Sequence, residues 1–194
     1  EIQADAVLAQ APQLGVGALR DPGGEARLDL TERRRPALHL GMLEHGLALR
    51  RDIARHIRRV RPDAVVTMTW ADVVPWGLSM ADHRVAGLAA ADAVRDADNR
   101  WVFRELAEQE GLEPWGATWL LVSGSDEPTH AVDVSGEPLE RGIASLEQHR
   151  EYLADLPGHP APRELITGVT AEAGRQLGVE AAESFRSEER RVGK

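Results

Sequence analysis

Apolar positions along this chain repeat with two different periods, and the switches between them predict helices and strands in alternation. Ile2, Ala6, Leu8 and Ala9 lie on one side of a first helix, which stops near Leu14-Gly15-Val16. A brief strand is expected at Ala18-Leu19-Arg20, closed by the turn chemistry of Asp21-Pro22-Gly23-Gly24. From Pro36 onward Leu40, Leu43, Leu47, Ile53, Ile57 and Val60 recur at helical spacing, with Arg50, Arg51, Arg55, Arg58 and Arg59 on the solvated side. Pro62 ends this long amphipathic helix. Ala64 to Thr69 is a continuous apolar, β-branched run, the pattern of a strand covered on both faces in a parallel sheet.

A loop from Trp70 to Ala81 leads to Asp82, which can cap a helix running through Val85, Leu88, Ala89 and Val94. Trp119 to Val122 reads as another buried strand and Ala131 to Val134 as a shorter one, with a polar turn from Ser123 to Thr129 between them. Helices then follow over about Glu137 to Ala154 and Pro162 to Leu177, parted by the Pro/Gly-rich segment Pro157 to Pro160. Helix, strand, loop and helix in succession make an α/β pattern, with a mostly parallel sheet flanked by helices. No repeat or long linker divides the chain, so a single domain is expected.

Composition narrows the class. The chain has 194 residues, 42% hydrophobic and 28% charged, enough to bury a core. No apolar run approaches the roughly 20 residues of a membrane span, and no signal peptide opens the chain, so a soluble cytoplasmic protein is expected. Cysteine is absent, which restricts any metal site to His, Asp and Glu ligands. A net charge of -9 argues against nucleic acid, because phosphate binding needs a basic stripe. A small-molecule partner is expected instead, and homo-oligomerisation stays open.

Both ends read as incomplete. Glu1 opens within a helical pattern, so the first strand or strands are expected to be missing upstream. Residues 186–194 lack periodicity and end on Lys194, the single lysine of a chain that otherwise uses Arg. They read as a non-native, adapter-derived tail, which leaves 1–185 as the natural body. That tail holds four basic and two acidic residues, so the body is more acidic still, near -11.

The stretch Ala81-Asp82-His83-Arg84-Val85-Ala86-Gly87 carries the best chemical candidate. It places a His in the first turn of a helix that follows a buried strand, and ligands of open α/β sheets bind at the carboxyl ends of strands. Read alone, an Asp-His pair there is also a helix cap beside a surface His.

Together with Arg61-Pro62-Asp63-Ala64-Val65-Val66-Thr67 and Thr129-His130-Ala131-Val132-Asp133-Val134, that stretch resembles the PIG-L/LmbE family of zinc-dependent N-deacetylases. The resemblance implies a Rossmann-like fold and removal of an acetyl group from an N-acetylated amino sugar or related amide. It implies that His83 is a zinc ligand. The other ligands are expected in the missing amino-terminal segment, from a His-Pro-Asp-Asp motif whose first Asp acts as general base. Ligands of this kind leave zinc an open position for water, whose pKa falls toward about 7. Many members carry His where this chain has Met80, so His130 is expected to supply the acid in its place. Asp82 is expected to orient catalytic groups.

Trp70 and Trp76 flank the loop before His83 and are candidates to wall the substrate, or to anchor the loop. Asp21 matches a family position near the substrate and is equally good turn chemistry. The expectation is therefore a zinc hydrolase whose parent is active, while this 194-residue chain alone is not. The alternative is a non-catalytic ligand-binding relative, which Met80 favours. A nucleotide-dependent transferase needs a Gly-rich phosphate turn, and none is visible.

Overall fold

A computed structural model describes residues 17–19, 42–75 and 77–189. These form two compact units, a smaller one of residues 128–185 and a larger one holding the rest.

The larger unit is built on two helices and a parallel strand pair. Helix α1 (Leu47–Val60) starts after Gly46, in extended backbone, rather than near Pro36. Residues 42–45, including Leu43, precede it without helical structure, and those before 42 other than 17–19 lie outside the described residues. The helix buries Ile53, Ala54 and Ile57 on one face and stops at Arg61, whose φ of 55° is left-handed and whose N–H bonds the carbonyl of Ile57. Pro62 then cannot continue it.

Strand β2 (Ala64–Met68) follows, with the short β1 (Gly17–Leu19) antiparallel on one side and β5 (Trp119–Ser123) parallel on the other. The register sets Ala64 against Trp119 and Met68 against Ser123. Between β2 and β5 the chain forms a small antiparallel hairpin, β3 (Val73–Val74) with β4 (Gly77–Leu78), then helix α2 (Ala81–Asp98) and the short helix α3 (Arg104–Glu108). Neither the hairpin nor α3 shows as a hydrophobic pattern, since each is too short to display a period.

Helix α2 buries a face of small residues, Ala86, Gly87, Ala89, Ala90, Ala93 and Ala97. Small side chains let it lie close to its neighbours, and Ile53, Ala54, Ile57, Val65, Leu106 and Ala117 fill the core with it. Arg58 is buried in this unit. Its guanidinium donates to the carbonyls of Asp96, Ala97, Asn99, Val102 and Phe103, which fastens the turn after α2 to the end of α1. Arg50 adds a bidentate ion pair to the buried Asp96, at 2.9 and 2.8 Å.

The smaller unit pairs β6 (His130–Asp133) antiparallel with residues 182–185, the first part of β7 (Ala182–Glu189), His130 opposite Phe185 and Asp133 opposite Ala182. Helices α4 (Glu137–Glu147), α5 (Arg150–Ala154) and α6 (Pro162–Leu177) lie between the two strands in sequence. Leu139, Ile143 and Ala181 form its core, with Val134 and Ile166 against them. The one helix expected over 137–154 is two, because the chain leaves helical hydrogen bonding at Gln148–His149. Strand β7 runs from residue 182 past residue 186, so the first residues of the expected tail are part of a strand.

The architecture is α/β with helices flanking the sheet, but the sheet is mixed. Of the register-defined pairs, β2 with β5 is parallel, while β1 with β2 and β6 with β7 are antiparallel. A buried apolar run marks a strand without marking its direction, which depends on where the chain returns. Among the described residues no helix is long and apolar enough to cross a membrane.

Candidate active site around His83

The start of α2 is held against the end of β2 by one close approach. A Cβ at Gly87 would stand 2.5 Å from the carbonyl oxygen of Met68, so only glycine lets the helix sit this near the strand. His83 lies one turn before Gly87 on the same side of the helix, and it is exposed. That puts it beside the carboxyl end of β2, where Thr69 N–H bonds the carbonyl of Ser123 at 2.8 Å and extends the parallel pairing. This is the end of a parallel pair at which α/β folds take ligands.

Asp82 does not cap the helix. The N-cap residue is Met80, and no side chain caps α2. The Asp82 carboxylate instead accepts the backbone N–H of Leu43 at 2.9 Å, tying the segment before α1 to the first turn of α2. Its negative charge in that turn also suits the positive end of the helix. Arg84, on the other side of His83, donates to the Ser79 carbonyl and pairs with Asp72 at 3.3 Å. Sequence reasoning passes over Arg84. The only signal is its place beside His83, since both partners sit in a loop whose fold is not legible in the sequence.

The remaining candidates fall in several places. His130 opens β6 in the smaller unit, exposed, with its Nδ1 3.0 Å from the Thr129 hydroxyl. It is therefore in a different unit from His83. Trp70 is half-buried in the larger unit, with the Arg186 guanidinium 5.8 Å from its ring centroid. Asp21 and Trp76 lie outside the described residues.

Among the described residues no three His, Asp or Glu side chains are grouped closely enough to hold a metal. His83 offers one ligand, and one ligand does not make a zinc site. An open recess of about 510 Å³, lined by Arg100, Trp101, Arg104 and Glu113 among others, is at the far end of α2. At 1.5 Å per residue it is on the order of 20 Å from His83 along the helix, so it is not part of this site.

Proteins of known structure share this arrangement of strands and helices. The chain superposes on N,N'-diacetylchitobiose deacetylase from Pyrococcus horikoshii with a TM-score of 0.60 and 19% identity, covering 77% of this chain and 54% of that one. A conserved protein from Thermus thermophilus matches with a TM-score of 0.61 and 24% identity, covering 79% of this chain and 64% of that one. The likeness is one of fold. The chain spans less than two thirds of either protein's length. No family model matches the sequence, and no curated protein matches it in sequence.

Proposed function

We propose that this chain is the body of a PIG-L/LmbE-type, zinc-dependent hydrolase that removes an acetyl group from an N-acetylated amino sugar or related amide. One observation carries the reading: an exposed His83 in the first turn of α2, set beside the carboxyl end of a parallel strand pair by the Gly87 contact. A fold shared with a deacetylase supports it, although fold by itself does not assign chemistry.

In this reading His83 is a zinc ligand and the other ligands come from outside the described residues. Asp82 positions the helix start by holding Leu43. Asp21, Trp70 and Trp76 are assigned the substrate contacts. The test is zinc content and release of acetate from N-acetylglucosamine by the full-length protein that contains this chain, with and without His83→Ala. About one zinc per chain, lost together with activity in the variant, supports the reading. No zinc in the unaltered protein overturns it.

A second reading is favoured by Met80. It is 63% exposed three residues before His83, an apolar side chain at a position suited to an acid. A ligand-binding relative without catalysis would bind the N-acetylated sugar in the same assay and release no acetate.

A further inference from the structure

The turn between α2 and α3 holds Trp101 out of the core. The indole is 70% exposed, although the backbone around it is fixed from several sides. Trp101 N–H bonds the Asn99 side-chain oxygen at 2.9 Å, and Val102 N–H bonds the Asn99 carbonyl at 3.2 Å. From the core side, the buried Arg58 guanidinium holds the carbonyls of Asn99, Val102 and Phe103 at 3.0, 3.0 and 3.2 Å. Phe103 closes the turn with φ 51° and ψ 52°, a left-handed conformation that a bulky residue rarely takes. Such strain persists only where the surroundings over-determine it, and it gathers at ligand clamps. A turn restrained in this way presents Trp101 preorganised, with little ordering entropy left to lose on binding.

Trp101 lines the open recess of about 510 Å³ at the far end of α2, a volume within the roughly 300–1,000 Å³ of small-molecule sites. The charges around it are mixed. Arg100 and Arg104 stand 5.2 and 5.9 Å from the Trp101 ring centroid, within cation–π range while most of the ring stays in water. Asp98, Glu108 and Glu113 share the lining. An anion entering the recess meets these three carboxylates, and a cation over the ring meets the two guanidiniums, so neither sign of charge is favoured. A neutral molecule is. Arg104 donates twice to Oε1 of Glu108, at 3.0 and 2.6 Å, and Oε2 accepts no bond among the described residues. The recess thus offers an aromatic face bordered by charged donors and acceptors. A pyranose matches both, since its C–H face covers an indole and its rim of hydroxyls gives and takes hydrogen bonds.

We propose that this recess is a binding site for neutral oligosaccharides, with Trp101 stacking on a sugar ring and Arg100, Arg104 and Glu113 holding its hydroxyls. It is separated from His83 by on the order of 20 Å along α2 and does not depend on the hydrolase reading.

The test is calorimetric titration of the full-length protein that contains this chain with cellotetraose, a neutral sugar without an amide, so that binding is read apart from any hydrolysis. A Kd of about 1 mM or tighter is expected, as suits an open recess. Trp101→Ala weakens binding about tenfold or more, and Trp101→Phe, which keeps an aromatic face, weakens it less. Arg100→Ala, on an exposed side chain, is a second probe and weakens it about threefold or more. His83→Ala leaves the Kd unchanged. Tetragalacturonate, which carries a carboxylate on every ring, binds about fivefold more weakly or worse than cellotetraose.

No heat and no shift of a tryptophan indole resonance at about 10 mM cellotetraose overturns the proposal. So does a Kd that neither Trp101→Ala nor Arg100→Ala moves. A Kd that His83→Ala weakens instead places the sugar at the start of α2 and overturns it as well. Tighter binding of tetragalacturonate than of cellotetraose makes the recess an anion site, with the same consequence.

Discussion

Three buried residues show how single side chains decide the geometry around α2. Gly87→Ala would drive a methyl group to 2.5 Å from the Met68 carbonyl oxygen and 3.3 Å from the Thr69 carbonyl, and these are backbone atoms with little room to yield. A loss of about 1–3 kcal/mol is expected in denaturant unfolding, with α2 shifted off β2. Arg58 is 2% exposed and satisfies five carbonyls, so Arg58→Ala would leave those acceptors unpaired. A cost of about 3 kcal/mol or more is expected, read in the same way. Thr67 runs the other way. Its hydroxyl is buried on β2 with no hydrogen-bond partner among the described residues, and Thr67→Val keeps the β-branched shape. It should stabilise the protein by up to about 1 kcal/mol, seen as a higher Tm.

At the scale of elements, α1 is tied to the segment after α3 through Arg55 and Glu110, whose oxygens lie 2.8 and 3.0 Å from the Arg55 Nε. The hydrogen bond from Arg55 holds the Glu110 carboxyl below the usual carboxylate range. A depressed folded-state pKa means this contribution is full above the unfolded value, near 4.5, and is lost as pH falls through the folded one. Glu110→Gln should therefore flatten the acid limb of the stability-versus-pH curve. The loss at neutral pH should stay below about 1 kcal/mol, because the pair is partly exposed and screened by solvent.

Several elements are legible in sequence and others are not, for reasons that differ. Strands β2 and β5 stand out because a strand covered on both faces needs an unbroken apolar run. The periodicity starts helix α1 about ten residues too early, since Leu40 and Leu43 continue the period while Gly46 is already extended. Strand β7 escapes the pattern, because Ala-Glu-Ser-Phe-Arg-Ser-Glu-Glu is mostly polar and gains its place by pairing with β6, about fifty residues earlier. The break between α4 and α5 carries no Pro or Gly, so nothing local announces it.

At the scale of the whole molecule, His83 is exposed and supports no core packing. His83→Ala should leave unfolding within about 0.5 kcal/mol of the unaltered chain, so that any loss of zinc or activity reports on the site rather than on folding. What the sequence determined by itself was local: which segments are apolar on one side or both, that an Asp-His pair opens a helix after a strand, and that no cysteine can serve a metal. These depend on residues within a few positions of one another, and period and composition record them. Tertiary structure alone decided that β1 runs against β2 while β5 runs with it, and that Asp82 spends its carboxylate on Leu43 rather than on a helix cap. It also decided that Arg84 clamps a hairpin and that His83 and His130 belong to different units. Each of these joins groups through folded geometry, by hydrogen bonds whose donors and acceptors every residue carries, so the partner is chosen by where the chain packs and not by what it spells.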